Sequence, residues 1–266
     1  MKLIALMLAK LWRAITLNLL SSVRTFAVGL FAAGAFLATT GVAEAHHRDF
    51  TFLRDWNLPF AGENEIEYRL THNNRMNEFV HEAEFEHGIT NHFAIEPGLE
   101  WHEQEDEKLH LDGFDVELRF NFGESAFNKV LFALNAEYEH PFDEEEADHG
   151  ELKFIASYYT PDGQDFSLNL NLGQELEKEK TKEGEIMFGY VRPLQKLETS
   201  ARHGYKIGLR GGFEARYDFQ EHFFNIGPTV AFEADEHFNV IAHYFFAGNH
   251  RHENTDGFRI IAEWEF

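Results

Sequence analysis

The sequence predicts an all-β fold, a single antiparallel barrel of about twelve strands that closes on itself in a membrane. Three observations carry this. Apolar and charged residues alternate in steps of two along most of the chain after residue 62, as side chains do across a strand. The composition combines 28 Phe with 26% charged residues, a mixture that sorting onto two faces accommodates. Segment 258–266 places Phe258, Ile260, Ala262, Trp264 and Phe266 on one face and Arg259, Ile261, Glu263 and Glu265 on the other. In a soluble sheet such a strand is an aggregation-prone edge. In lipid, acyl chains meet its apolar face and the first strand pairs with its edge.

Residues 1–45 read as a signal peptide. Lys2, Lys10, Arg13 and Arg24 are the only charges before Glu44, and an apolar run covers residues 26–38. Ala43-Glu44-Ala45 fits small-x-small cleavage, leaving His46 first. An uncleaved anchor helix is the alternative, but the run is shorter than the ~20 residues that a span needs. Residues 46–62 contain Trp56, Pro59 and Gly62 without clean alternation. They read as a periplasmic lead-in or a short inserted segment. Residues 63–266 are the barrel.

Charge narrows the partners. The chain carries 46 acidic and 23 basic residues, net −23, and loss of the basic leader makes it more acidic still. Such a surface repels nucleic acid and favours cations. With no cysteine there is no disulfide, thiolate metal site or cysteine nucleophile.

The strands follow in order. In 63–71, Ile66, Tyr68 and Leu70 face outward and Glu65, Glu67 and Arg69 inward. In 78–87, Phe79, Ala83 and Phe85 oppose Glu82, Glu84 and Glu86, with His81 on the apolar side. In 92–102, Phe93, Ile95, Pro97, Leu99 and Trp101 oppose Glu96, Glu100 and His102, and Pro97 suggests a bulge. Segment 114–122 turns Asp115, Glu117, Arg119 and Asn121 inward; 130–139 turns in Asn135, Glu137 and Glu139. Strand 151–160 contributes Lys153 and ends at the turn formers Pro161-Asp162-Gly163-Gln164. Strand 166–175 alternates most cleanly, Leu168, Leu170 and Leu172 against Ser167, Asn169 and Asn171. Strands 185–193, 205–217, 224–234, 238–246 and 258–266 complete the set, turning in Lys206, Arg210, Arg216, Glu233, Arg259 and Glu263.

Loop lengths agree. Short turns follow strands two, six and ten; long charged loops follow strands three, five, seven and eleven. Bacterial barrels keep short turns at the periplasm and long loops outside, and an even strand count leaves both termini periplasmic. The links after strands one, eight and nine fit less well, so ten strands are the alternative count. A soluble β-sandwich also alternates, but this many aromatic residues would overfill one shared core.

The inward charges admit two readings. Facing acidic and basic walls across a water-filled bore would select small polar or cationic solutes. Alternatively, Glu and Arg pair across a narrow barrel and fill it, giving a structural or divalent-cation-binding barrel. A lipid-modifying enzyme would need a Ser–His pair on the wall. Ser125, Ser157, Ser167 and Ser200 are the serines in or near strands, and none is an evident partner for His81. No catalytic residue and no cofactor are therefore expected. Metal chemistry rests on His46 and His47, which beside a free amino terminus could hold Cu(II), Ni(II) or Zn(II). His102, His110, His140, His149, His250 and His252 fall at external loops, where they read as solvated residues.

Segment 78–101, centred on Glu82-Ala83-Glu84-Phe85-Glu86-His87-Gly88-Ile89-Thr90-Asn91, resembles a Glu-rich hairpin of proteobacterial outer-membrane barrels. It is similar to the outer-membrane family associated with the phenol-degradation meta pathway, with His87 in place of the usual aromatic residue before Gly88. The resemblance implies passive uptake of small molecules, aromatic ones among them, and no catalytic residues. Segment 258–266 likewise looks like the closing strand of Gram-negative outer-membrane barrels. The resulting expectation is an outer-membrane channel, narrow and cation-preferring, in contact with lipid and lipopolysaccharide and inserted by the barrel-assembly machinery. Trp264 and Phe266 would then form the periplasmic aromatic girdle and the assembly signal. Deleting Phe266 should lower the amount of folded protein in the outer membrane, measured by fractionation; unchanged levels would count against that role.

Overall fold

A computed structural model describes residues 48–266 apart from 75–76, 105–108, 125–129, 144, 177–180, 196–197, 200–205, 235–236 and 250–255. The leader, His46 and His47 lie outside the described residues. The wall consists of β1 (Asn64–Asn73), β2 (Glu78–Thr90), β3 (Phe93–Gln104), β4 (His110–Glu124), β5 (Val130–Pro141) and β6 (His149–Tyr159). It continues with β7 (Asp165–Glu175), β8 (Lys182–Pro193), β9 (Leu209–Asp218), β10 (Phe223–Glu233), β11 (Phe238–Asn249) and β12 (Gly257–Glu265). Each strand pairs antiparallel with its neighbour in sequence, and β12 returns to β1 to close the ring. The count is twelve, and the ten-strand alternative falls away.

The closing seam uses the chain to its last residue. Glu65 lies opposite Glu265 and Asn73 opposite Gly257. Beyond the strand, the Phe266 amide donates to the Asn64 carbonyl (2.8 Å) and the Asn64 amide to the Phe266 carbonyl (3.0 Å). Backbone groups facing hydrocarbon have no water to bond, so closure is the condition for this sheet to exist in lipid.

Alternation sorts the faces as the sequence predicts. Along β7, Ser167, Asn169 and Asn171 are buried while Leu168, Leu170 and Leu172 are exposed. Ile186 and Phe188 of β8, Ile226 and Phe232 of β10, and Ile260 of β12 continue the exposed apolar band. A continuous patch of this kind marks a membrane surface. Trp264 and Phe266 stand exposed at the rim that carries the barrel's first and last residues, with the Phe238 ring 6.1 Å from Trp264. We call this the near rim and the opposite end the far rim.

Three local features differ from expectation. Pro97 keeps its place in the register, opposite Val116. Lacking an N–H, it interrupts the β2 ladder between Gly98 and Ile95 without a register shift there. The bulges fall elsewhere, between Gly88 and Thr90, at Asp112, and between Asn121 and Glu124. The third difference is β9, which begins at Leu209 rather than at residue 205. Lys206–Ile207 instead pairs with Glu198–Thr199 in a separate two-residue ladder, and Gly208, at φ 141°, makes the turn into the wall that a side chain would hinder. The near-rim turn after β6 matches its sequence signal. Gly163 is left-handed (φ 84°), and its amide bonds to the Thr160 carbonyl (2.9 Å). Hydrogen bonds from the Thr160 and Gln164 side chains hold the Asp162 carboxyl below the usual carboxylate range.

Replacing Leu170, at mid-height of β7, by Arg should cost about 2–4 kcal/mol of folding stability in lipid. Denaturant titration of folding into vesicles measures this; an unchanged midpoint would place that face away from lipid.

Candidate functional site

The inward face of β1–β4 carries glutamates that need counter-charges, because removing a carboxylate from water without a partner is costly. Some partners come from the wall. Arg69 contacts Glu67, Glu82 and Glu84. Arg119 contacts Glu86 and, at 3.1 Å, Glu96. Others come from residues 48–59, which are nearly all buried and run inside the barrel. Arg54 reaches Glu84 (2.9 Å), Glu117 (3.5 Å), Glu67 (3.7 Å) and Glu96. Arg48 donates to both carboxylate oxygens of Glu67 (3.0 and 3.1 Å).

The opposite side of the wall holds the segment by different means. Near the first and last residues of the barrel, the inward positions of β5, β6 and β8 are apolar. Phe50 and Leu53 pack on Met187 and Val191; Trp56 packs on Leu131, Ala133 and Ile155. Gly189 gives the Phe50 ring its seat, since an added Cβ there would lie 2.4 Å from a ring carbon. The backbone is fixed as well. Glu214 accepts from the amides of Thr51 (2.8 Å) and Phe52 (2.7 Å). Asn239 donates to the Arg48 carbonyl (2.7 Å) and Arg119 to the Asn57 carbonyl (2.9 Å). Asp49 pairs with Arg210, which also holds Glu233. The segment thus matches the wall in both charge and apolarity.

Above this segment, toward the far rim, a cavity of about 870 Å³ opens. Its floor is Arg48, Phe52 and Arg54. Its lining is polarised. Glu137, Glu139, Glu151, Glu175, Glu183 and Glu185 come from β5–β8, while Arg69, Arg216 and Arg259 come from β1, β9 and β12. Lys153 interrupts the acidic side by contacting Glu137 and lying 3.5 Å from both Glu117 and Glu151. On the basic side, Arg259 stacks over the Phe52 ring, 4.5 Å from its centroid. A second cavity of about 20 Å³, room for about one water, lies on the near-rim side against Glu65, Glu67, Glu263 and Pro59. Arg48 and Arg54 border both cavities, so the inner segment stands between them.

The inward positions read from sequence are distributed among these environments. Glu67, Glu84, Glu86, Glu96, Glu117, Arg119, Arg210 and Glu263 are buried. Glu82, Glu100 and Asp115 line a side pocket of about 80 Å³. Arg216, Arg259 and Glu137 reach the large cavity. Lys206 lies in the separate ladder, so it is not a residue of the barrel wall. The acidic wall expected on strands one to five divides. In its β1–β4 part Glu67, Glu82, Glu84, Glu86, Glu96 and Glu117 are engaged by arginines, and the strand acids lining the large cavity come from β5–β8. Strand alternation turns Glu214 inward but does not reveal that it holds the segment's backbone, nor does it reveal the roles of Arg48, Phe50, Arg54 and Trp56. The available signal was a stretch rich in arginine and aromatic residues without strand alternation, directly ahead of glutamate-lined strands.

His81 does face outward. Its Nδ1 lies 2.7 Å from the Tyr68 hydroxyl and its ring stacks on Trp101; its partner is a tyrosine rather than a serine. Ser157 and Ser167 bond to each other inside the barrel (2.6 Å). Replacing Arg54 by Ala should leave Glu84, Glu96 and Glu117 short of a counter-charge, a change that costs about 3–5 kcal/mol at buried pairs. Residues 48–59 should then be cut by a non-specific protease that spares them in the parent protein; equal resistance would contradict the role of Arg54.

No family model and no curated protein sequence matches the chain. Solved structures do. The KdgM porin in complex with disordered oligogalacturonate aligns at TM-score 0.56 and 10% identity, over 76% of this chain and 99% of that one. A second KdgM porin structure aligns at 0.51, with 10% identity and the same coverage. The NanC porin aligns at 0.49 and 7% identity, over 75% of this chain and 98% of that one. At such identity the KdgM likeness speaks to the fold, which is that of the outer-membrane porin barrels.

Proposed function

We propose that the chain is an outer-membrane channel of small bore, preferring cations and dipolar solutes, whose inner segment 48–59 controls the passage. The observation that carries this is the polarised cavity above the segment. A solute entering from the far rim meets carboxylates on β5–β8 across from guanidinium groups on β1, β9 and β12. Facing charged walls impose a transverse field that orients and selects small polar solutes, and the net charge of −23 draws cations to the mouth. The KdgM structures that share the fold are porins, one of them with an oligogalacturonate, which supports passage of small solutes and a non-enzymatic role here. The resemblance of hairpin 82–91 to the meta-pathway barrels adds aromatic solutes to the candidates. Export through a leader cleaved after Ala45, assembly through Trp264 and Phe266, and contact with lipopolysaccharide at the far rim belong to the same proposal.

A second reading is a structural barrel that does not conduct, favoured by the ion pairs that fix Arg48 and Arg54 in the lumen. Planar-bilayer recording separates the two. The channel reading expects small cation-preferring steps from the whole protein and larger ones after deletion of residues 46–59. Replacing Glu137, Glu151 and Glu185 together by Gln should reduce the cation preference. Anion preference would overturn the selectivity; absence of steps in both proteins would leave the structural reading.

A further inference from the structure

At the far rim, apart from the residues that line the cavities just described, two histidines and an aspartate converge. His102 near the end of β3 and His110 at the start of β4 are direct partners across the ladder, so both imidazoles project to the same side. Asp112 would ordinarily follow on that face one position removed from contact. A bulge changes this. Glu100 pairs with Gly113 and Trp101 with Leu111, leaving Asp112 as the extra residue on β4, and such a residue re-aims its side chain. The bulge is tied from the neighbouring strand end, where the Phe142 amide donates to the Asp112 carbonyl (2.6 Å). As a result, a single Asp112 oxygen faces Nδ1 of His102 at 2.6 Å and Nδ1 of His110 at 3.1 Å. The donor atoms of the three residues lie within 4.8 Å of one another.

We propose that His102, His110 and Asp112 form a binding site for a divalent transition metal, with Zn(II) and Cu(II) as the fitting ions. Two imidazole nitrogens with one carboxylate suit these borderline ions, whereas Mg²⁺ and Ca²⁺ select oxygen donors. Zinc bonds of about 2.0–2.2 Å to nitrogen and carboxylate oxygen place the ligands of a tetrahedral ion a little over 3 Å apart, which these side chains reach by small rotations. Three protein ligands leave the fourth position to water. Access comes from solvent, since the His110 side chain is 64% exposed and those of His102 and Asp112 about a quarter exposed. The site is independent of whether the barrel conducts. His140 on β5 offers a contrast within the same rim, because its Nδ1 meets Asp148 at 2.6 Å but no second imidazole joins that pair among the described residues.

The test is calorimetric titration of the refolded full-length barrel in detergent with Zn(II) alone, on a His46→Ala/His47→Ala background that removes the amino-terminal candidates. One zinc per chain is expected, with no competition from Mg²⁺ at equal concentration. The His102→Ala/His110→Ala pair should abolish binding. Asp112→Asn should weaken it by at least the roughly 10–100-fold that loss of a supporting partner costs at metal sites. His140→Ala should leave it unchanged. Circular dichroism confirms folding of each variant, and if the double variant fails to fold, Asp112→Asn decides. Zinc bound equally by Asp112→Asn and the parent, or displaced by equimolar Mg²⁺, would overturn the assignment.

Discussion

Arg54 stands among Glu67, Glu84, Glu96 and Glu117, and the rest of the interior depends on that arrangement. A barrel of this width, closed by its own hydrogen-bond ladder, has an inside that is neither bulk water nor a hydrocarbon core. Carboxylates placed there on neighbouring strands repel one another unless cations are held between them. The wall supplies Arg69 and Arg119, but these sit at the sides of the cluster. The inner segment delivers the central guanidinium, and Arg48 follows it onto Glu67. The segment is therefore a structural counter-charge as well as an obstruction, and displacing it carries an electrostatic cost.

That cost explains why the opposite wall is built differently. Where β5, β6 and β8 face the segment they present Leu131, Ala133, Ile155, Met187 and Val191, and the segment answers with Phe50, Leu53 and Trp56. Burying these aromatic and aliphatic groups stabilises the seated form without adding charges. The charged sector fixes the orientation of the segment and the apolar sector adds affinity. Farther toward the far rim the apolar positions give way to Glu137, Glu151 and Glu185, and there the bore opens into the cavity. The transition from filled to open thus follows the chemistry of the inward positions strand by strand.

Much of the wall was legible in the sequence because a membrane barrel imposes the simplest of patterns. Period-two alternation located the strands to within a few residues, and the exposed faces of β7, β8 and β12 match it. The departures have local causes. The inward pattern of Lys206, Arg210 and Arg216 predicts a strand from residue 205, yet Gly208 diverts the chain and Lys206 belongs to a side ladder. Pro97 suggests a bulge, but an outward-facing proline needs only the loss of ladder bonds. The inner segment was beyond periodicity altogether, since residues 48–59 form no strand and take their conformation from the wall around them. The convergence of His102, His110 and Asp112 was hidden for a related reason. It depends on cross-strand register and on one bulge, neither of which alternation alone specifies.

Residues 48–59 sit inside the folded barrel against β1–β4 on one side and β5, β6 and β8 on the other. The chain has no cysteine, so a pair introduced as Phe50→Cys and Gly189→Cys reports on this directly. Those positions touch in the seated form, and removing the Phe50 ring vacates the space that a side chain at 189 needs. Mild oxidation of the folded protein in lipid should give an internal disulfide between them in nearly every molecule, with neither thiol reactive toward a water-soluble maleimide. Free, maleimide-reactive thiols at position 50 and no cross-link in the folded barrel would show that the segment lies outside the lumen.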